Sequence, residues 1–407
     1  MPGEALSHVR VLDLSRVLAG PWASQVLADL GAEVIKVERP GAGDETRAWG
    51  PPWLRDAHGE ETREAAYFAS ANRGKKSITL DVATPEGQAI ARRLAERADV
   101  LLENHKAGAL ARHGLGYPEL SALNPRLVYC SITGFGQDGP YRSRPGYDFL
   151  VQAMGGLMSV TGEPDGAPGG GPMKVGVAVV DLLTGLYAAT AVLAALAHRE
   201  RSGRGQHVDL ALLDVQVAAL ANQAESYLVT GQAPARLGNA HPSIVPYQPF
   251  ATRDGRLALA VGNDGQFERL CQVAGRPELA SEPRFATNAA RVEHRAELVA
   301  ALAPVLAARA TSEWVAALEA AGVPCGPIQD LAEVFDDPQV RHRRLRVEVP
   351  HPGCGPVPVV ASPIRLSETP VRHRGLPALG QHTREVLVGL LGMDEGEVDA
   401  LHSRGVV

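Results

Sequence analysis

Over its first 134 residues the chain alternates short apolar runs with helix-like segments, and this alternation limits its possible folds more than any other feature. Residues 9–14 (VRVLDL) read as a short buried strand. Residues 21–30 (PWASQVLADL) read as a helix with proline in its first turn, where the missing N–H has no partner to lose. Gly31 stops that helix, and residues 33–37 (EVIKV) form a second strand. A further unit follows: the strand SITLD, a helix over 85–97 and the strand DVLLEN. One more strand, LVYCSIT, ends at Gly134. Strands that alternate with helices predict an α/β fold, a parallel sheet covered on both faces.

Beyond residue 160 the pattern changes. Residues 162–175 (GEPDGAPGGGPMKV) form a Gly/Pro-rich loop, and VGVAVV then leads into Asp181 and a long Ala/Leu-rich helix. HVDLALL reads as a strand. Residues 225–330 suggest a separate, smaller domain, with a hairpin in FATRDGRLALAV turning at Asp254-Gly255. From about 338 strand-like stretches return, and a helix around 383–391 closes the reading. A chain of 407 residues is too long for one small core, so two domains are expected.

Composition removes several function classes. A net charge of -6 argues against a dedicated nucleic-acid or polybasic membrane surface, which needs excess Lys and Arg. Cys130, Cys271, Cys325 and Cys354 are scattered with no C-x-x-C pair, so neither a zinc site nor a redox motif is indicated. Isolated cysteines fit a reducing compartment. The opening residues lack the pattern of a signal peptide. No apolar run approaches the roughly 20 residues that cross a bilayer. A cytoplasmic protein with no membrane or nucleic-acid partner is the expectation.

Residues 134–139 (GFGQDG) match G-x-G-x-x-G, but Pro140 and Pro145 follow, so no helix starts there to hold a pyrophosphate. No phosphate-binding P-loop, H-E-x-x-H or G-x-S-x-G is present, and the histidines are dispersed; no metal site is expected. Arg39, Arg73, Lys75, Lys76 and Lys106 sit at the ends of predicted strands. In a parallel sheet ligands bind beyond the carboxyl ends, where such cations suit a polyphosphate; a solvated charged surface is the plain alternative. Asp181 opens a helix after an apolar run, a position that suits either an N-cap or a carboxylate nucleophile.

Taken in order, these segments resemble the family III CoA-transferases, the group of formyl-CoA and carnitine CoA-transferases. The resemblance rests on RVLAGPWASQVLADLGAEVIKVERPGAGDETR, NRGKKSITLD, LLENHKAGALARHGLGY, YCSITGFGQDGP, GYDFLVQAMGG, VVDLLTGLYAATAVLAAL and ALGQHTREVL, and covers essentially the whole chain. It extends to the dicarboxylate branch, which handles succinyl, glutaryl and hydroxymethylglutaryl groups, through GNAHPSIVPYQPF, GVPCGPI and VFDDPQV. The resemblance implies Asp181 as the nucleophile. It implies CoA contacts from Arg39, Arg73, Lys75, Asn104, Lys106 and Arg112, and substrate contacts from Leu18 and Tyr147. His105 and Ala107 depart from the usual aromatic and proline of the loop after Glu103-Asn104. HPSIVPYQPF stands where formyl-CoA transferase has a run of glycines, which makes oxalate or formate a poor fit.

The implied fold is a large Rossmann-like domain built from residues 1–224 and 331–407, with a smaller α+β domain over 225–330, in an interlocked homodimer. The implied substrates are a coenzyme A thioester and a free carboxylic acid, with no permanently bound cofactor. An aspartate, with an ordinary pKa of about 3.9, attacks a thioester without a general base. A dicarboxylate would need a cation for its far end, with Arg16, Lys174 and His241 as candidates. Two other readings stay open: an acyl-CoA racemase working by α-proton transfer, and a non-catalytic CoA-binding protein. At Tyr147 this chain has a phenol, a side-chain type whose ordinary pKa of about 10 makes it a poor base, where related racemases carry histidine.

Overall fold

The structure, a computed structural model, describes residues 3–407. Six strands form the principal sheet: β1 (Arg10–Asp13), β2 (Glu33–Glu38), β3 (Lys75–Thr79), β4 (Val100–Glu103), β5 (Val128–Thr133) and β6 (His207–Ala211). Their order across the sheet is β3-β2-β1-β4-β5-β6, and every pairing is parallel. The chain builds outward from β1 to β3, then crosses to the other side of β1 and continues from β4. The carboxyl ends of β1 and β4 therefore flank a topological switch point, where parallel sheets open a crevice.

Both faces of the sheet are covered. Leu12, Ile35, Ile78 and Leu101 face one apolar cluster, while Val11, Val34, Val100 and Leu102 face another, as a two-residue strand period requires. The first cluster includes Val386, Leu387 and Leu401 from the far end of the chain. The last residues return to the sheet: the Asp81 N–H donates to the Val406 carbonyl at 2.8 Å, and Val406 and Val407 are buried. The tail carries the helix expected around 383–391 and adds a second one. A wide helical turn occupies Glu385–Leu390, and a further helix, Glu395–Ser403, follows it. A short hairpin of Trp53–Arg55 with Glu61–Ala65 was likewise unanticipated.

Four helices matter for the site: α1 (Ala19–Asp29), α2 (Pro85–Glu96), α3 (Asp148–Met154) and α4 (Val179–Ser202). Thr84 caps α2 by accepting the Gly87 N–H at 3.0 Å, and Pro85 occupies the first turn. Helix α4 is 24 residues, long and apolar enough by length and composition alone to cross a bilayer, which corrects the expectation that no such run exists. Its residues Val180, Thr184, Ala188, Val192 and Ala195 form one buried stripe. Gly185 lies in that stripe, and a Cβ there would sit 2.7 Å from the Ala19 carbonyl and 3.0 Å from Trp22. The missing side chain lets α4 rest directly on the start of α1.

Contacts divide the chain into two units, the larger formed by residues 1–156, 175–224 and 338–407. The smaller comprises 157–174 and 225–337, so the Gly/Pro-rich segment expected in the large domain belongs here, and the second boundary falls at 337 instead of 330. Arg236 ties that segment down, donating to the Glu163 carbonyl at 3.2 Å and pairing with Asp165. The predicted hairpin forms between Tyr247–Ala251 and Arg256–Ala260, with Cys325–Pro327 as a third strand. Phe250, Leu257, Phe267, Leu302 and Trp314 fill this unit's core.

Gly185→Val should drive the two helices apart. Overpacking of this kind costs about 1–3 kcal/mol. Thermal unfolding should show a lower midpoint for the variant; an unchanged midpoint would mean that α4 can shift freely on α1.

Candidate active site

A cavity of about 190 Å³ opens at the switch point. The turn after β1 contributes Arg16, Val17, Leu18 and Ala19, and the turn after β4 contributes Asn104, His105 and Lys106. The loop after β5 adds Thr133, Arg142, Arg144 and Tyr147, Trp49 closes one side, and Asp181 enters from the first turn of α4.

Asp181 does not cap its helix. Ala178 is the N-cap residue, and Asp148 supplies the capping oxygen from elsewhere in the chain. Asp148 Oδ2 accepts the N–H of Val180 at 2.8 Å and that of Asp181 at 3.3 Å, while its Oδ1 accepts from Gln152 Nε2 at 2.6 Å. The Asp181 carboxylate is half-buried and, among the described residues, has no hydrogen-bond or ion-pair partner. Burial, and then the charge of Asp148, push its pKa up to about 7. The sequence expectation of a fully ionised carboxylate at neutral pH is revised accordingly. Tyr67 is near enough to respond: burial and then Asp181 raise its phenol.

Of the residues singled out from the sequence, Leu18, Asn104, Lys106, Tyr147 and Asp181 share this cavity. Tyr147 is largely exposed. Lys106, Arg142 and Arg144 have no carboxylate partner among the described residues; Arg144 lies over the Tyr141 ring, 4.6 Å from its centroid. Arg16 also lines the cavity but pairs with Glu45. Arg39 is exposed just after β2 and Arg112 is exposed in the short turn Ala111–His113 after β4, and neither lines the cavity. Lys174 and His241 belong to the smaller unit.

Arg73 and Lys75 are placed differently from expectation. Arg73 is buried, its Nε donating to Asp29 at 2.9 Å and its Nη1 to the Val360 carbonyl at 3.0 Å. Lys75 Nζ is buried against Asn72 Oδ1 at 2.8 Å, the Pro21 carbonyl at 3.0 Å and Asp13 at 3.3 Å. Burial lowers its pKa to about 7. Both cations serve the interior, so neither head is offered to a phosphate. Sequence reasoning missed Trp49, Arg142, Arg144 and the capping role of Asp148. The run PYRSRPGYD held the last three, but only the closure of its loop brings them beside Asp181.

A larger cavity of about 740 Å³ lies at the amino ends of β2 and β3, lined by Glu33, Lys76, Arg374 and His382. Its cations are paired, Lys76 with Glu33 and Glu385, and Arg374 with Glu4. Ligands of parallel sheets bind at the opposite end, so the smaller cavity is the candidate site.

The raised pKa of Asp181 has a sign that can be tested. The folded form holds its proton up to about 7, whereas the unfolded chain releases it near the ordinary 3.8. Between those values stability contributed by the protonated group is lost as pH rises. Asp181→Asn, which stays neutral, should therefore be more stable than the native chain at pH 8, with the difference shrinking toward pH 4 in denaturant titrations. A pH-independent difference would refute the raised pKa.

The sequence profile of CoA-transferase family III matches residues 6–383. A succinate–glutarate CoA-transferase from Agrobacterium fabrum is 53% identical over 386 residues, covering 95% of each chain. A succinyl-CoA:glutarate CoA-transferase from Mus musculus is 45% identical, covering 99% of this chain and 90% of the relative. The crystal structure of a CaiB/BaiF family protein from Brucella suis superposes with a TM-score of 0.83 at 47% identity, covering 96% of this chain and 100% of that one. A profile spanning nearly the whole length, and relatives alike from end to end, place this chain in CoA-transferase family III.

Proposed function

We propose that this enzyme moves CoA from a dicarboxylyl-CoA, with succinyl-CoA the preferred donor, to a second dicarboxylate, through covalent intermediates on Asp181. The observation that carries this reading is the free carboxylate of Asp181. It faces a cavity while a different aspartate caps its helix. The names of the relatives above support the choice of substrates.

In the first step a carboxylate oxygen of Asp181 attacks the thioester carbonyl and expels CoA thiolate, leaving a mixed anhydride. The thiolate then attacks the aspartyl carbon of that anhydride. The donor acid leaves as its carboxylate, and Asp181 becomes an aspartyl-CoA thioester. The acceptor carboxylate attacks this thioester and expels the thiolate again. Attack of the thiolate on the acceptor's acyl carbon finally yields the new acyl-CoA and free Asp181. No general base is needed, because the nucleophile requires only ionisation. A carboxylate of raised pKa is a stronger nucleophile once ionised. Lys106, Arg142 and Arg144, which line the cavity without a carboxylate partner among the described residues, suit the phosphates of CoA and the distal carboxylate of the acids.

Asp181→Ala should lose transfer between succinyl-CoA and glutarate while still binding CoA. In the native enzyme kcat/KM should rise with pH through about 7, the ionisation of the free carboxyl. Incubation with succinyl-CoA should leave a CoA-sized mass on the peptide containing Asp181. Substantial turnover by Asp181→Ala would eliminate the covalent reading.

The homodimer implied by the family resemblance is part of this proposal. The helix Asn222–Thr230 has no buried residue in the single chain, and Leu228 and Val229 are 73% and 76% exposed. On α4, Leu186 and Tyr187 are also exposed. Apolar surface of this kind is commonly covered by a second subunit. Sedimentation should give twice the mass of 43.0 kDa; a monomer at micromolar concentration would contradict it.

A further inference from the structure

The turn after β1 is held at every backbone polar group from the Ser15 N–H to the Val17 N–H, and always by a side chain from elsewhere or from Asp13. The Ser15 N–H donates to Asp13 Oδ1 at 2.9 Å, and the Ser15 carbonyl accepts from Lys36 Nζ at 3.0 Å. The Arg16 N–H donates to Asn104 Oδ1 at 2.8 Å, and the Arg16 carbonyl accepts from Asn104 Nδ2 at 2.6 Å. The Val17 N–H points at Asp44, 3.2 Å from its Oδ2. Asp44 is itself fixed by Lys36 Nζ at 2.9 Å.

These clamps hold a conformation the turn would not adopt alone. Val17 has φ of 67°, a left-handed backbone that a β-branched residue enters only under constraint. Gly20 permits the fold-back, since a Cβ there would lie 2.2 Å from Ser15. Because of this turn the Leu18 N–H has no acceptor among the described residues, and the first-turn N–H groups of α1 have no intrahelical one. Leu18 and Ala19 line the cavity with Asp181, and Gly185, one helical turn below Asp181, rests against the Ala19 carbonyl.

We infer that Asn104 is a positioning residue, whose carboxamide clamps Arg16 so that the strained turn aims its free N–H groups at the oxyanion formed beside Asp181. The inference rests on the reading of Asp181 as the acylated group. It departs from the CoA contact that family resemblance implies for Asn104, because both carboxamide atoms are already engaged by the backbone N–H and carbonyl of Arg16. Donors aimed at a developing oxyanion act on the transition state and not on bound substrate. Loss of the clamp should therefore lower kcat and leave CoA affinity intact.

The test compares the native enzyme with Asn104→Ala, which removes both bonds, and Asn104→Asp, which retains the acceptor for the Arg16 N–H. With succinyl-CoA and glutarate, kcat should fall on the order of 10²-fold in Asn104→Ala and less in Asn104→Asp. The affinity for CoA, measured by calorimetry, should be unchanged in both. The CoA adduct on Asp181 should form more slowly in step with kcat. Weakened CoA binding with a normal rate of adduct formation at saturating thioester would make Asn104 a CoA contact and overturn the inference. Native rates in both variants would overturn it as well. An absence of adduct on the native enzyme, run in parallel, would defeat the Asp181 reading itself. Should Asn104→Ala fail to fold, Asn104→Asp decides the matter through the same comparison of kcat with CoA affinity.

Discussion

Lys36 and Asp13 put charged groups inside the protein beneath the carboxyl edge of the sheet, where an uncompensated ion costs several kcal/mol. They are tolerated because each has partners on several sides. Lys36 holds Asp44 and the Ser15 carbonyl, and Asp13 holds Lys75, Ser15 and Ser24. Burial pushes the Asp13 carboxyl up, but Lys75, Lys36 and the hydroxyls of Ser15 and Ser24 together outweigh it and hold the group below its usual range. Burial also works against the charge of Lys36, and Asp44 and Asp13 more than compensate. Removing one member would strand the others, at a cost of about 3–5 kcal/mol. The turn after β1, and with it one wall of the cavity, takes its shape from this network.

Asp181 is the counterpart left out of that network. It sits at the start of a helix, where an aspartate ordinarily finds backbone N–H partners. Here Asp148 takes those partners and adds its own negative charge nearby. The Asp181 carboxylate is left without a hydrogen-bond partner among the described residues, and burial, with the charge of Asp148 added, raises its pKa; both effects make a carboxylate more reactive. Opposing them, the amino-terminal ends of α1 and α4 favour negative charge. The cavity thus combines an activated carboxylate with N–H groups suited to the charge that forms when it reacts.

Much of the larger unit was legible in the sequence because a parallel sheet writes its period into apolar runs. Helix α2 and the strands β1 to β5 lie within a few residues of their predicted positions. The hairpin at Asp254-Gly255 was equally legible, since turn chemistry is local. The tail was harder. The turn at Glu385–Leu390 and the helix after it owe their form to packing on Ile78 and Leu101, some 300 residues away in sequence. The basic residues were the weakest point. Arg73, Lys75 and Lys106 look alike in sequence, yet two are buried in ion pairs and one is exposed at the cavity.

The sequence by itself determined the order of strands and helices, the αβ class and the family, because these depend on local periodicity and on strings of residues read in order. Tertiary structure alone decided which aspartate caps α4 and which stands free. It also decided which cations meet a partner, and that Asn104 would reach Arg16 across the switch point. Such outcomes depend on distances between residues far apart in the chain, and burial, hydrogen bonding and charge act through distance in space, which residue order does not carry.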